Sequence, residues 1–291
     1  MKPINVLSLF DGISCGKIAL DKIGIPIKNY YASEIEKNAI KISKKNYPNI
    51  IQLGDVTNWR EWDIDWNSID LLIGGSPCQG FSRAGKQLNF KDPRSKLFFE
   101  YVDILNHLKE VNPNIKFLLE NVDMKQEYVS IINSYLKVEP IIINSRTLSA
   151  QNRKRLYWTN WEVTPLFKDS KEVVKDILLP IENISDNFFH KTRTIESILN
   201  SNFAQERKML QNLNDKCSCL LARDYKDPKC VIQDGILRKL TPIEYERLQT
   251  VPDNYTEGVS NTQRYQMLGN GWTVDVISYI LSFIKRNFEK E

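Results

Sequence analysis

The chain has 291 residues, 42% of them hydrophobic and 26% charged, a balance typical of a globular protein and not of a disordered or fibrous one. Its five cysteines are an odd number in a chain long enough to bury a core, which indicates reduced thiols and argues against a disulfide-stapled secreted fold. No apolar run approaches the roughly 20 residues that cross a bilayer, and a net charge of +4 permits a polyanionic partner without requiring one, so we expect a cytoplasmic protein without membrane contact.

The first half of the chain alternates short apolar segments with amphipathic ones. The apolar runs INVLSLF, NYYASE, NIIQLGD, DLLIGG and IKFLLENV predict five strands. Segments between them, such as IEKNAIKISKKNY and SKLFFEYVDILNHLKE, have the apolar period of helices. Buried strands separated by helices predict a parallel α/β sheet, which EPIIINSRTLSAQNRKRLYWTNW extends by two further strands.

The pattern changes in the second half. Residues 162–237 are polar, with isolated aromatic side chains and no sustained periodicity. LTPIEYERLQT then predicts a helix that Thr241 caps, with Pro242 at its first position, and VDVISYILSFIKRNF predicts an amphipathic C-terminal helix. We therefore expect a catalytic domain of 1–161 and 238–291 and a smaller domain of 162–237.

The loop FDGISCG lies between the first strand and the first helix, where open α/β sheets bind nucleotide-like ligands. The close spacing of Gly12 and Gly16, and Ile18 where a phosphate loop has Ser or Thr, disfavour a triphosphate site. An acid and two glycines beside Phe10 suit a ligand with a flat base, a small carboxylate and little phosphate, such as S-adenosylmethionine. A simple tight turn is the alternative.

Two more acids are placed at the same edge of the predicted sheet. Glu34 ends the second strand and Asp55 ends the third. An acid after strand two can accept both ribose hydroxyls of a nucleoside, and an acid one strand over can accept an adenine amino group. Either residue alone could instead be a helix cap.

The segment GGSPCQGFS places Cys78 directly after the fourth strand. Pro77 restricts Ser76 and fixes the approach of the chain, and the neighbouring glycines allow a tight bend. A structural cysteine would more naturally lie within the apolar DLLI run, and a zinc site needs neighbouring ligands that SPCQ does not offer. We therefore interpret Cys78 as a nucleophile, provided that an acid partner exists.

Glu120, at the end of the fifth strand, is that candidate partner. Attack of a thiolate on C6 of a pyrimidine, with a proton supplied at N3, makes C5 nucleophilic enough to accept a methyl group from a sulfonium donor. A cysteine, a glutamate and a site for S-adenosylmethionine at one sheet edge are the parts that this chemistry requires.

Six segments of the chain resemble, in order, six blocks of the C5-cytosine DNA methyltransferase family: SLFDGISCG, GGSPCQGFS, LLENV, QNRKRLYW, RKLTPIEYERLQTVPDNYT and LGNGWTVDVI. They span nearly the whole chain except 162–237. SLFDGI with YYASE is similar to the vertebrate de novo branch, whereas PCQGFS and GKQ resemble bacterial and phage enzymes of restriction–modification type. The resemblance implies a Rossmann-like S-adenosylmethionine-dependent methyltransferase domain, with 162–237 as a smaller target-recognition domain.

The resemblance also implies a role for each matched residue. Cys78 corresponds to the nucleophile and Glu120 to the acid that contacts cytosine N3 and its amino group, while Arg153 and Arg155 correspond to the basic pair near the target nucleotide. The positions that it places against S-adenosylmethionine are Phe10, Asp11, Gly12, Ile13, Gly16, Glu34, Ile35, Asp55, Val56, Ser76, Pro77, Leu97, Asn270, Gly271 and Trp272. The positions that it places against DNA are Gln79, Ser82, Arg83, Lys86, Gln87 and Gln151.

Three features of the sequence leave an alternative open or depart from the family pattern. Residues 83–96 resemble the family's loop that closes over DNA, and an ordinary solvated loop is the alternative. Gly271 and Trp272 stand where many members have a serine after the asparagine. The C-x-C pair of Cys217 and Cys219, with Cys230 eleven residues later, has no nearby histidine, so we expect reduced thiols and no metal.

The implied function is methyl transfer from S-adenosylmethionine to C5 of a flipped-out cytosine in a specific double-stranded DNA sequence, through a covalent Cys78–C6 intermediate. We expect a monomer whose partner is DNA, with a cognate restriction endonuclease in the same system. One alternative is a tRNA cytosine C5-methyltransferase. The other is a catalytically inactive DNA-binding regulator, which would be expected to lack the cysteine, the glutamate or the cofactor loop, all of which are present.

Overall fold

The structure is a computed structural model that describes residues 2–77, 96–190 and 194–288. Within them, seven strands form one sheet in the spatial order β3 (Ile51–Gln52), β2 (Ile27–Ser33), β1 (Ile4–Leu9), β4 (Leu71–Gly75), β5 (Lys116–Val122), β8 (Lys154–Thr159) and β6 (Ile141–Asn144). The pairs among β1 to β5 are parallel, and β8 runs antiparallel to β5. The predicted α/β class with a parallel sheet is confirmed, and the edge strand β3 is only two residues long.

Four helices accompany this sheet: α1 (Cys15–Lys22), α2 (Lys37–Asn46), α3 (Lys96–Val111) and α4 (Gln126–Leu136). On one face, Leu72 and Phe117 of the sheet pack against Phe98 and Leu105 of α3 in a single core that also includes α4. Burial of apolar surface stabilises such a layer by roughly 25 cal/mol per Å². The rigid layer fixes the sheet edge at which the strands end.

The strand order reverses between β1 and β4. The chain leaves β1 toward β2 on one side and leaves β4 toward β5 on the other. Open α/β sheets bind ligands in the crevice that forms at such a switch point, outside the carboxyl ends of the strands. Residues 10–14 follow β1 and Ser76 follows β4, so the motifs singled out in the sequence lie at this edge.

The contacts divide the chain into two compact units. The first contains the described residues of 2–143, 154–166 and 277–288, and the second those of 144–153 and 167–276. The second unit is thus larger than the expected 162–237. Side chains explain this: the Tyr245 hydroxyl accepts from the Lys229 N–H and donates to Asp224. The target-recognition role of 162–237 stays a prediction.

Short elements build the second unit: β7 (Gln151–Asn152), α5 (Val174–Ile177), α6 (Ile195–Leu199), α7 (Asn202–Glu206), β9 (Cys217–Ser218), β10 (Cys230–Gln233), β11 (Ile236–Lys239), α8 (Pro242–Leu248) and α9 (Asn261–Asn270). The predicted start of α8 is confirmed, because Thr241 and Glu244 form a capping box with Pro242 at the first position. A fully buried ion pair between Arg238 and Glu244, with N···O 2.6 Å, fixes this helix within its unit.

The C-terminal helix α10 (Val274–Phe288) confirms the last predicted element. In the first unit, Ser278 Oγ donates to the carbonyl of Ala19 and Lys285 Nζ donates to that of Ile23. Within the described residues, the stretch Asn261–Lys285 is long and apolar enough by composition to cross a bilayer, but 61% of its apolar window is buried in the protein. Mostly buried helices of this kind are also found in protein cores.

Candidate active site

The loop after β1 has an unusual backbone. Phe10, Gly12 and Ser14 all have positive φ, of 56°, 60° and 62°. L-residues avoid this region unless their surroundings hold them there. A Cβ placed on Gly12 would meet nothing within 4 Å, so open space lies over the loop where a ligand could approach its backbone.

The Asp11 side chain turns inward, beneath the loop. It is 9% exposed, and its Oδ1 accepts from the Tyr30 hydroxyl at 2.8 Å while its Oδ2 accepts from Ser14 Oγ. Its backbone N–H donates to the carbonyl of Ser33 at 3.1 Å. Burial raises the pKa of Asp11 from 3.8 to about 6. The carboxyl group therefore shapes the loop from below.

Glu34, directly after β2, holds the same loop from the side. Its Oε2 accepts from the Gly12 N–H at 2.8 Å, and its Oε1 accepts from the N–H groups of Ile35 and Glu36, both at 2.8 Å. A carboxylate has roughly four lone-pair positions, so Oε2 retains capacity for a ligand hydroxyl. The half-buried Glu34 thus has the acceptor chemistry that was expected of it.

Asp55 lies after β3 and is exposed. Its Oδ1 accepts from the backbone N–H and the hydroxyl of Thr57, both at 2.9 Å, and so caps the following 3₁₀ helix, Val56–Glu61. The capping role considered from the sequence is therefore present. Among the described residues no partner contacts Oδ2, which leaves this oxygen able to accept from a ligand.

The other residues assigned to the cofactor fall into three groups. Ile13, Gly16 and Val56 are buried parts of the first unit. Phe10, Pro77 and Leu97 are half-buried and Ile35 is 69% exposed, so all four have accessible surface that a ligand could contact. Asn270, Gly271 and Trp272 belong to the second unit, where Asn270 is exposed. Their assignment stays a prediction.

The end of β4 is fixed by a neighbour on β5. Ser76 is 4% exposed, and its Oγ accepts from Asn121 Nδ2 at 3.2 Å. This hydrogen bond sets where the chain leaves the sheet, one residue before Pro77. Cys78, Gln79, Ser82, Arg83, Lys86 and Gln87, together with the remainder of 83–95, lie outside the described residues.

Glu120 stands beside this exit. In the parallel register of β4 and β5 it pairs with Gly75. Across the antiparallel pair of β5 and β8, Arg155 lies opposite Val122, so Arg155 and Glu120 share one face as diagonal neighbours. Arg155 Nε lies 3.1 Å from Glu120 Oε1, and the two side chains are 13% and 11% exposed. A shielded carboxyl–guanidinium pair therefore lies next to Ser76 and Pro77.

Arg153 does not share that position. It belongs to the second unit, is 4% exposed, and donates to the carbonyls of Leu220 at 2.9 Å, Gly269 at 3.2 Å and Gly271 at 3.0 Å. A Cβ on Gly269 would lie 2.3 Å from the carbonyl carbon of Leu221, so the chain is tightly packed here. This placement favours a bracing role for Arg153 over contact with a nucleotide.

Gln151, which the resemblance assigns to DNA, is also buried. It is 0% exposed, its Nε2 donates to the carbonyl of Leu248 and to Gln249 Oε1, both at 3.0 Å, and its Oε1 accepts from the Leu220 N–H at 3.1 Å. Buried amides are normally satisfied in this way. Like Arg153, it holds the second unit together.

Sequence reasoning did not single out four polar side chains at the site: Ser14, Tyr30, Ser43 and Asn121. Asn121 follows Glu120 inside the quoted LLENV segment, so that motif carried a signal. Tyr30 lies in YYASE, where strand alternation separates it from Tyr31. Ser14 likewise lies inside the quoted FDGISCG loop, but Ser43 had no signal, because its contact with Ser14 joins α2 to that loop across 29 residues of sequence.

The cysteines of the second unit have the character of structural thiols. Cys217 is 0% exposed, and burial raises its pKa to about 12. Cys230 Sγ lies 3.2 Å from Nε2 of His190. Across 2–77, 96–190 and 194–288, no group of three or more His, Cys, Asp or Glu side chains is placed to hold a metal ion.

Comparison with known proteins identifies the family of the chain. The family model of C-5 cytosine-specific DNA methylase matches residues 4–286. Type II methyltransferase M1.ScrFI of Lactococcus lactis subsp. cremoris is 31% identical, over 98% of this chain and 79% of its own length. Type II methyltransferase M.NlaX of Neisseria lactamica is 30% identical, over 97% of this chain and 96% of its own length.

Solved structures show the same fold. S. pombe Dnmt2 methyltransferase has a TM-score of 0.72 at 20% identity, covering 97% of this chain and 99% of that one. Entamoeba histolytica methyltransferase EhMeth has a TM-score of 0.71 at 19% identity, covering 99% of each chain. With a family model matched over almost its entire length and relatives named as Type II methyltransferases, the chain belongs to the C-5 cytosine-specific DNA methylase family and is an enzyme of the DNA cytosine C5-methyltransferase class.

Proposed function

We propose that this protein transfers a methyl group from S-adenosylmethionine to C5 of a cytosine flipped out of a specific sequence in double-stranded DNA. The observation that carries the proposal is the Glu120–Arg155 pair, with Nε 3.1 Å from Oε1, on the strand adjacent to the segment that leads into Cys78. C5 methylation of a pyrimidine needs a proton donor as well as a nucleophile, and Glu120 lies beside the end of the strand that precedes Cys78 in the sequence.

The residues at the switch point fit S-adenosylmethionine. Glu34 has acceptor capacity for ribose hydroxyls, and Asp55 Oδ2 for an adenine amino group. Phe10 supplies an aromatic side chain, and the space over Gly12 leaves the backbone open to close approach. When bound, S-adenosylmethionine supplies an electrophilic methyl group. The chain's own contribution is to fix that ligand and to exclude water around it.

The proposed chemistry assigns one task to each catalytic side chain. The Cys78 thiolate forms a bond to C6 of cytosine, while Glu120 holds a proton at N3 and Arg155 orients Glu120. The electron density that reaches C5 then forms the bond to the methyl group while the sulfonium–methyl bond breaks, which leaves S-adenosylhomocysteine, and the proton at N3 returns to Glu120 as the product forms. A base removes the proton from C5, the Cys78–C6 bond breaks, and the thiolate and 5-methylcytosine are released.

The substrate must present C6 to the thiol, and this atom is inaccessible within a stacked duplex. The target nucleotide is therefore extruded, at a cost of a few kcal/mol. We propose that the protein acts as a cytoplasmic monomer on DNA. A restriction endonuclease of the same system is the proposed biological partner, supported by the designation of the relatives as Type II methyltransferases.

Methyl transfer to different polymers tests the proposal. The protein would be incubated with S-adenosylmethionine carrying a labelled methyl group and with either plasmid DNA or bulk tRNA. We expect label in DNA as 5-methylcytosine, and bisulfite sequencing of the plasmid should place it within one sequence. Label in tRNA alone would indicate the RNA substrate instead, and no label in either would indicate an inactive DNA-binding protein.

The Cys78→Ser variant is the control for this assay. A hydroxyl has far less anionic character than a thiol near neutral pH, so this variant should bind S-adenosylhomocysteine normally and transfer no methyl group. Near-normal turnover in it would contradict the assignment of the nucleophile.

A further inference from the structure

Four buried side chains form a hydrogen-bonded network beneath loop 10–14: Asp11, Ser14, Tyr30 and Ser43. The Tyr30 hydroxyl donates to Asp11 Oδ1 at 2.8 Å, and Ser14 Oγ donates to Asp11 Oδ2. Ser14 Oγ also lies 2.6 Å from Ser43 Oγ. Since a serine has one hydroxyl proton and that of Ser14 goes to Asp11, Ser43 is the donor in this second contact.

Hydrogen bonds from these hydroxyls stabilise the ionised form of Asp11. Among the described residues, the groups that act on its pKa are the hydroxyls of Ser8 on β1, Ser14 before α1 and Tyr30 on β2, and the carboxylate of Glu34 after β2. None of these groups is a cation. The hydroxyls lower the pKa of Asp11, while burial and Glu34 raise it.

The network anchors both ends of the loop. Tyr30 is 3% exposed, and its hydroxyl ties Asp11 to the neighbouring strand β2. Ser43, which is 0% exposed, ties Ser14 to α2. The backbone has positive φ at Gly12 between these anchors, and also at Phe10 directly before them and at Ser14 itself, two positions where it is unfavourable for a residue with a side chain.

We propose that Tyr30 is a positioning residue for the cofactor loop, acting through the Asp11 carboxylate, with Ser43 as a second anchor through Ser14. The proposal rests on the proposed function, in which this loop binds S-adenosylmethionine. Tyr30 itself lies beneath the loop and does not touch the ligand; its hydroxyl selects the loop conformation that binds.

This role has a pH signature. The ionised Asp11 carboxylate can accept from both hydroxyls, whereas the protonated carboxyl must itself donate, so one of the two contacts is lost. Cofactor affinity should therefore weaken as pH falls through about 6. Tyr30→Phe removes a group that stabilises the ionised form, so in this variant the weakening should begin at higher pH.

Calorimetric titration of the protein with S-adenosylhomocysteine, repeated between about pH 5 and pH 8.5, tests the proposal. Loss of a hydrogen bond to a charged group corresponds to about a tenfold change, so Tyr30→Phe should weaken binding about tenfold near pH 6.5 and less at pH 8.5. Tyr31→Phe is the matched control. Tyr31→Phe removes a hydroxyl from the next residue of β2. The Tyr31 side chain packs against the core that contains α3, so this variant should bind S-adenosylhomocysteine as the wild type does.

A double-mutant cycle separates positioning through Asp11 from a general packing effect. In an Asp11→Asn background, Tyr30→Phe should cause no further loss of affinity. Ser43→Ala provides a second, smaller perturbation of the same loop and should also weaken binding. Thermal melting of each ligand-free variant checks that it is folded.

Two results would overturn the proposal: a Tyr30→Phe variant with wild-type affinity and pH profile, or losses from Tyr30→Phe and Asp11→Asn that simply add. Failure of the proposed function is distinguishable from both, because wild-type protein would then bind no S-adenosylhomocysteine at any pH.

Discussion

Arg155 and Glu120 form an ion pair across two antiparallel strands, with Arg155 Nε 3.1 Å from Glu120 Oε1. The pair is shielded from water and lies beside the end of β4. Arg155 therefore both orients the carboxyl group and keeps it in place while a substrate is absent. This relationship connects the fold to the proposed proton transfer, because neither side chain is free to turn independently.

Replacement of Glu120 should separate chemistry from cofactor binding. General acid–base groups contribute about 10²- to 10⁴-fold to rate, so Glu120→Gln should lower kcat for methyl transfer by at least about 10²-fold. Affinity for S-adenosylhomocysteine should not change. Asp123→Asn is a matched control, since Asp123 is a more exposed carboxylate paired with Lys154 at 3.5 Å. A Glu120→Gln variant that kept full turnover would remove the glutamate from the mechanism.

Replacement by lysine should have different effects at the two arginines of QNRKR, Arg153 and Arg155. Arg153→Lys cannot reproduce the guanidinium fork that serves three carbonyls. Each buried group left without a partner costs about 1–3 kcal/mol, so the free energy of unfolding should fall by about 2–4 kcal/mol. Arg155→Lys keeps a positive charge beside Glu120 and should lose methyl-transfer activity with little loss of stability.

Denaturant unfolding and single-turnover methylation, measured on both arginine variants, decide this point. The opposite pattern, a stable and inactive Arg153→Lys with an unstable and active Arg155→Lys, would restore Arg153 to the substrate site and contradict its bracing role.

The effect of Glu34 on cofactor affinity can be tested with Glu36 as a matched control. Glu34→Gln replaces a carboxylate that accepts from the N–H groups of Gly12, Ile35 and Glu36. Loss of charge-assisted hydrogen bonds of about 1.5–3 kcal/mol corresponds to at least about a tenfold weaker affinity for S-adenosylhomocysteine. Glu36→Gln changes only the cap of α2, where the side chain accepts from the Asn38 N–H, and should leave the affinity unchanged. Equal titration curves for both variants would show that Glu34 does not contact the cofactor.

The sheet and the positions of its acids could be predicted from the sequence, because parallel strands place every residue that follows a strand at one edge. Glu34 and Asp55 are found there for that reason, whereas Glu120, expected at the end of the fifth strand, lies within β5, which continues to Val122. The second unit could not be predicted in the same way. Its helices α5, α6 and α7 are only four to five residues long, too short to show an apolar period in the windows that reveal helices.

The different placement of Arg153 and Arg155 was also hidden from the sequence. The family resemblance implied a basic pair near the target nucleotide, and residues two apart on one continuous strand would indeed point to the same side. Arg153 instead falls in the break between β7, which ends at Asn152, and β8, which begins at Lys154. The alternation is interrupted there, and only Arg155 belongs to the strand that faces Glu120.

The covalent intermediate is the central claim, and a mechanism-based trap tests it most directly. The recognised sequence, once found by bisulfite sequencing, would be prepared as a duplex with 5-fluorocytosine at the target position. Fluorine at C5 cannot leave as a proton does, so the final elimination should stall with the protein bonded to DNA.

In the presence of S-adenosylmethionine we predict a complex that survives denaturing electrophoresis, with the modified nucleotide mapped by mass spectrometry to the peptide containing Cys78, and no such complex with Cys78→Ser. Methylation of ordinary cytosine without any trapped complex, or a complex that maps to Cys15, Cys217, Cys219 or Cys230, would contradict the proposed mechanism.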